Sequence, residues 1–61
     1  MIRWSKTGDG IISTDGRYFI TARGFLYGAT LNWVLYDLRN NSYQDGFRYQ
    51  RDAKALAEEL A

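Results

Sequence analysis

The sequence predicts an α+β fold, in which an antiparallel meander of three main strands is followed by one C-terminal helix. The first observation is a series of short alternating runs separated by glycine-containing turns at Gly8–Gly10 and Asp15–Gly16. Asp-Gly is typical of hairpin turns because glycine adopts positive φ freely. The second observation is that the apolar period changes from two to about 3.6 in the last part of the chain. Strands that precede a segregated helix are typical of the α+β class, and 61 residues make a single domain, 1–61.

Turn residues mark the bounds of the predicted strands. The three main strands cover Ile11–Thr14, Arg17–Arg23 and Ala29–Leu38. Residues 1–6 are a candidate fourth strand at one edge of the sheet. The longest strand ends at Arg39–Ser42, where the side chains favour turns through local hydrogen bonds.

The final segment, residues 49–60, is predicted to form the helix. Alanine and leucine are strong helix formers, and Asp52 in the first turn interacts favourably with the helix dipole. The positions predicted to face the sheet are Tyr49, Ala53, Leu56, Ala57 and Leu60.

Alternation places large side chains on both faces of the predicted sheet, although a single helix covers only one face. In the strand 29–38, one face carries Leu31, Trp33 and Leu35. The other face carries Asn32, Val34 and Tyr36, and the sequence leaves open which of the two sets the helix covers. If it covers the first set, the uncovered face carries these candidate partner-binding residues: Arg17, Phe19, Thr21, Arg23, Asn32, Val34 and Tyr36.

The connection Gly24–Gly28 is a second candidate binding segment. Three apolar side chains lie at its tip, namely Phe25, Leu26 and Tyr27. They either fold under the sheet or protrude, and a protruding aromatic anchor is typical of a binding hot spot.

Catalytic and metal-binding chemistry has little support in this composition. The chain has no cysteine and no histidine, which removes the commonest metal ligand and the side chain best suited to proton transfer near neutral pH. Asp9 and Asp15 each lie beside a glycine, where aspartate is a common turn residue. We therefore expect no enzyme activity, no metal and no cofactor.

The charge distribution is mildly asymmetric. Residues 1–51 carry seven basic and four acidic side chains, a net of +3, whereas residues 52–61 carry one basic and three acidic side chains, a net of −2. No apolar run approaches the ~20 residues that a membrane span needs, and the N-terminus lacks the features of a signal peptide. The expected location is the cytoplasm, or the host cytoplasm if the chain is phage-encoded, with no membrane partner.

Three interpretations of the uncovered face remain open at this point. The face binds a protein, which includes a second copy of the chain in a homodimer, since Tyr and Arg are enriched at interfaces. Alternatively it binds DNA or RNA. Phe19 and Tyr36 would then stack on bases or sugars, and the phosphates would be contacted by Arg17, Arg23 and Arg39. In the third interpretation, Phe19, Val34 and Tyr36 form a cross-strand cluster that only stabilises the sheet.

Three segments in order, Asp15–Ile20, Trp33–Tyr36 and Ala53–Glu58, resemble small accessory proteins of phage and prophage origin. In those proteins a G-R-Y strand, a Trp-containing strand and an A-K-x-x-A-E helix make a compact β-β-β-α unit. The resemblance implies a phage context and no particular activity. From the uncovered sheet face and the 24–28 segment we expect a non-enzymatic module that docks on a larger host or phage protein, an inhibitor or anti-CRISPR-like role included.

The predicted architecture is also similar to the amino-terminal arm-binding domains of tyrosine recombinases. Their three-stranded sheet enters the major groove of DNA. This similarity implies, as the alternative function, that the uncovered sheet face contacts DNA.

Overall fold

The computed structural model describes the backbone of residues 1–26 and 29–61 and the side chains of residues 1–23 and 32–61. Within that part of the chain there are five strands and one helix. In chain order they are β1 (Trp4–Lys6), β2 (Gly10–Ser13), β3 (Tyr18–Leu26), β4 (Ala29–Asp37), β5 (Ser42–Phe47) and α1 (Gln50–Leu60). The α+β class is confirmed, and the predicted count of three or four strands is corrected to five.

The five strands form one antiparallel sheet in the order β1-β2-β3-β4-β5, so every strand pairs with its neighbour in sequence. The candidate fourth strand at the amino-terminal edge is present as β1. The longest pairing joins β3 to β4 and sets Phe19 opposite Tyr36 and Ile20 opposite Leu35. All the connections are local, and alternate residues along each strand reach opposite faces.

Strand β5 has no counterpart among the predicted strands. Its sequence, Ser42–Phe47, contains glycine and little regular alternation of apolar residues. The β4–β5 register shifts between Trp33 and Leu35, and Gly46 has a φ of 93° near this irregularity. A bulge of this kind interrupts the period of two on which strand prediction depends.

The predicted connection 24–28 is shorter than expected. The backbone of Phe25 pairs with Thr30 and that of Leu26 with Ala29, so both residues belong to β3 rather than to a loop tip. Continued pairing provides hydrogen-bond partners for backbone groups that a loop would leave to water. Tyr27 and the side chains of Phe25 and Leu26 lie outside the described residues. The predicted role of these three residues as a binding segment therefore also falls outside the described part of the chain.

Helix α1 packs on the sheet face that carries Trp33 and Leu35. The core of buried side chains comprises Ile11, Tyr18, Ile20, Leu35, Ala53 and Ala57. Five partly buried side chains pack around it: Ile2, Trp4, Trp33, Phe47 and Leu56. Ala53 and Ala57 are one helical turn apart, and their small side chains let the helix backbone approach the large residues of β3 and β4. This packing settles the choice that the sequence left open.

The two ends of the predicted helical stripe are only partly covered. Tyr49 is 47% exposed and Leu60 is 51% exposed, although both were expected to face the sheet. The helix begins after Tyr49, which provides no side-chain cap. No helix in the described ranges is long and apolar enough to cross a membrane.

Candidate functional site

Three aromatic rings lie side by side on the sheet face opposite the helix, and we call them the aromatic row: Phe19, Tyr36 and Tyr43. The register places them on three successive strands. The ring centroids of Phe19 and Tyr36 are 6.1 Å apart with planes inclined by 29°, and those of Tyr36 and Tyr43 are 5.8 Å apart at 39°. Ile12 extends the same row on β2. The side chain of Tyr43 is 65% exposed, so the row ends in an open aromatic surface.

A polar cluster lies on the same face, toward the other end of β3 and β4. Arg23 Nη1 is 3.3 Å from Asp45 Oδ2, and Asn32 Nδ2 donates a hydrogen bond to Asp45 Oδ1. The backbone N–H of Gly46 also donates to Asp45 Oδ1. Arg23 remains 61% exposed in its side chain, but the adjacent carboxylate offsets its positive charge. Tyr43 and Asp45 were not among the predicted site residues, because both lie on β5 and the sequence of β5 shows little regular alternation of apolar residues.

Arg17 lies apart from the other candidate residues. It precedes β3, its Nε is 3.5 Å from Asp37 Oδ1, and its guanidinium carbon lies 4.8 Å from the ring centroid of Tyr18. Both Asp37 and Tyr18 are buried, and Tyr18 belongs to the core under the helix. The structure therefore does not bring Arg17 together with Phe19 and Arg23.

The Asp37 carboxylate organises the turn between β4 and β5. Burial raises the pKa of Asp37, but hydrogen bonds from the backbone and side chain of Asn40 and the nearby guanidinium of Arg17 outweigh it, so the pKa is lowered overall. Asp15 has a similar role in the turn between β2 and β3. The Ser13 hydroxyl and the backbone N–H of Arg17 donate to it, and these hydrogen bonds lower its pKa.

Val34 is fully buried, although it lies on the face that the helix leaves uncovered. It pairs with Thr21, and its neighbours along the same face of β4 are Asn32 and Tyr36. Side chains of this size enclose a valine at the centre of a sheet. A partner would not reach Val34, which corrects its place among the predicted contact residues.

A depression of about 520 Å³ runs beside the aromatic row, and we call it the Asp9 groove. Its lining includes Gly8, Asp9, Phe19, Thr21, Tyr36 and Leu38. Leu38 is 51% exposed, and the turn between β1 and β2 contributes Gly8 and Asp9.

Hydrogen bonds hold the turn of the Asp9 groove against β3. Thr21 Oγ1 donates to the backbone carbonyl of Asp9 at 2.9 Å, and Thr7 Oγ1 accepts from the backbone N–H of Gly10 at 3.0 Å. Gly10 lies so close to β3 that a Cβ atom there would be 1.9 Å from the carbonyl oxygen of Ile20. The missing side chain at Gly10 therefore lets β2 approach β3 and fixes one wall of the groove.

The described residues contain no group of three or more His, Cys, Asp or Glu side chains placed to hold a metal ion. The open sheet face contains the aromatic row, the groove beside it and the polar cluster, in which the charges are paired. Five of the predicted site residues lie together on this face: Phe19, Thr21, Arg23, Asn32 and Tyr36.

No family model, no curated protein and no solved structure matches this chain. The resemblance to phage accessory proteins and the similarity to recombinase arm-binding domains stay predictions.

Proposed function

We propose that this chain is a non-enzymatic binding module that docks onto a larger protein through its uncovered sheet face. The observation that carries the proposal is the aromatic row, because it lies on a face that no helix of the described chain covers. Aromatic side chains are enriched in the centres of protein interfaces, where they contribute most of the binding energy. The context we favour is that of a small phage accessory protein acting on a host or phage protein, for example as an inhibitor.

The charges near the row favour a protein partner over a nucleic acid. Arg23 is paired with Asp45, and Arg17 is turned toward Asp37 at the end of the sheet. Nucleic-acid affinity comes largely from cations that neutralise phosphates. Two of the three predicted phosphate contacts, Arg17 and Arg23, are therefore already paired with carboxylates, and Arg39 alone gives a weak basis for that attraction.

Capture from host lysate on the immobilised chain tests the proposal, with variants that change only the row. Tyr43→Ser removes the most exposed ring of the row, and Phe19→Ser removes the ring at the other end of the row. Tyr49→Ser is the matched control, because Tyr49 is also an exposed tyrosine but belongs to the helix start. We expect a captured protein that is lost with the first two variants and retained with the control.

Nuclease treatment and salt distinguish the two classes of partner. A protein bound through aromatic contacts remains after nuclease treatment and changes little between 50 and 200 mM salt. Binding through six to ten phosphates would weaken by roughly 10³ to 10⁵ over the same range. Capture that depends on nucleic acid, or that all three variants reduce equally, contradicts the proposal.

A further inference from the structure

We infer that the Asp9 groove binds a segment of the protein partner that carries an apolar side chain next to a lysine or arginine. The apolar side chain lies over Phe19 and Tyr36, and the cation lies against the carboxylate of Asp9. This inference rests on the proposed function and names the chemistry of the partner at that site.

The size and lining of the Asp9 groove suit an apolar side chain. Its volume of about 520 Å³ falls within the range of roughly 300 to 1,000 Å³ that is usual for binding pockets. Phe19 and Tyr36 provide two rings with planes inclined by 29°, and Leu38 adds an exposed aliphatic side chain. An apolar group placed there buries both its own surface and that of the rings.

Charge complementarity identifies the second element of the partner. Among the described residues that line the groove, Asp9 is the only one with a charged side chain. Within the described part of the chain, no cation lies within 4.0 Å of its carboxylate, and Arg23 on the same sheet face is paired with Asp45. A carboxylate at the rim of an apolar groove attracts a cation and repels a phosphate or a second carboxylate.

The groove is already in place before a partner arrives. The Asp9 carbonyl accepts a hydrogen bond from the Thr21 hydroxyl, and Thr7 Oγ1 accepts hydrogen bonds from the backbone N–H groups of Asp9 and Gly10. These bonds fix the backbone of Asp9 and leave its carboxylate outside the network. A preorganised site loses less conformational entropy on binding than a mobile one.

Matched small probes test this pairing on the full chain by ¹H–¹⁵N NMR titration. The probes are 4-phenylbutylamine, 4-phenylbutanol and 4-phenylbutanoate, which share the apolar part and differ in charge. We expect the amine to shift the amides of Gly8, Asp9 and Thr21, and to bind about five times more tightly than the alcohol, since opposite charges about 4 Å apart in water attract to that extent. The carboxylate probe is expected to bind most weakly.

Two variants test whether the carboxylate of Asp9 causes the preference for the amine over the alcohol. Asp9→Asn is expected to remove the preference for the amine and retain the affinity for the alcohol. Asp52→Asn is the matched control, because Asp52 is an exposed acid on the helix. We expect it to leave the order of the three probes unchanged.

Three results would overturn the inference. They are equal binding of the amine and the alcohol, a preference that survives Asp9→Asn, and a failure of all three probes to shift the groove amides. Shifts of those amides on raising the protein concentration alone would show that a second copy occupies the groove, which also overturns it. With any of these results, loss of capture with Tyr43→Ser would still support docking through the sheet face. A failure of the groove inference can therefore be told apart from a failure of the proposed function.

Discussion

Replacing Gly10 with alanine tests whether the close approach of β2 to β3 holds this sheet together. The added Cβ would lie 1.9 Å from the carbonyl oxygen of Ile20 and 2.9 Å from its carbonyl carbon and from the Cα of Thr21. All three are backbone atoms, so no side-chain rotation can relieve the contact. Carbon–oxygen contacts between neighbouring strands are normally about 3.3 to 3.6 Å. Strand β2 would therefore have to move away from β3 by more than an ångström.

The expected loss of stability is large for a domain of this size. Overpacking typically costs about 1 to 3 kcal/mol, and the rigid backbone on one side of this contact favours the upper part of that range. Alanine restricts the unfolded chain and returns only about 0.4 to 1 kcal/mol. At about 0.05 to 0.15 kcal/mol per residue, the whole domain has a free energy of unfolding of roughly 3 to 9 kcal/mol. We therefore expect Gly10→Ala to remove a substantial fraction of it, about 2 kcal/mol.

Gly8→Ala provides the control in the same turn. An added Cβ at Gly8 meets no atom within 4 Å, so we expect a change of less than about 0.5 kcal/mol. Urea unfolding followed by circular dichroism measures both variants. If Gly10→Ala unfolds at the wild-type urea concentration, or if Gly8→Ala is equally damaging, the close approach of β2 to β3 is wrong.

Three further predictions concern the buried polar groups and a turn. Tyr18→Phe is expected to raise the free energy of unfolding by about 1 kcal/mol, because the Tyr18 hydroxyl is buried without a hydrogen-bond partner among the described residues; a loss of stability in urea would contradict this. Asp37→Asn is expected to destabilise the fold at pH 7. Because the folded pKa of Asp37 is lowered, its contribution is complete above the unfolded pKa and is lost as the pH falls below about 4 toward the folded value. A difference between the two unfolding curves that is the same at pH 7 and pH 2.5 would argue against this contribution. Gly16→Ala is expected to cost about 1 to 2 kcal/mol because the φ of Gly16 is 77°, whereas Gly16→Asn should cost less; equal thermal stability of all three proteins would refute that reasoning.

The turns and the two strand faces were predictable because each depends on residues close in sequence. Asp15 and Gly16 form a hairpin turn with positive φ at the glycine, as their sequence predicts. The alternation of Tyr18, Phe19 and Ile20 places the first and third in the core and the second on the open face. These features follow from local geometry alone, so they could be predicted from a single sequence.

The features that were missed depend on contacts between different strands and not on the pattern within one strand. Strand β5 becomes a strand because the edge of β4 pairs with it, and a bulge hides its alternation. Val34 is enclosed by neighbours from other strands, which alternation along β4 cannot show. Arg17 was assigned to the open face by extending the period of β3 one residue too far, whereas the strand begins at Tyr18 and Arg17 turns toward Asp37.

The choice of the face that α1 covers follows from polar residues more than from apolar ones. Both faces of β4 carry apolar side chains, so hydrophobicity alone does not decide between them. Only one face places Arg23 and Asn32 next to each other at the β3–β4 register, and a helix over them would remove a charge and an amide from water. On the open face, Asp45 satisfies both groups while water still reaches the guanidinium.

The choice of the sheet face that α1 covers also explains why the aromatic row is accessible. Ala53 and Ala57 provide little volume, so the face under the helix has to supply large side chains such as Tyr18 and Ile20. The polar cluster keeps the helix off the opposite face, where Tyr43 is exposed and Phe19 and Tyr36 are partly buried. Replacing Arg23, Asn32 and Asp45 together with leucine would remove this bias. We expect that variant to self-associate in sedimentation experiments, because the enlarged apolar face then lacks the charged and amide groups of the polar cluster. A monomer at all concentrations would show that the polar cluster is not what keeps this face from self-association.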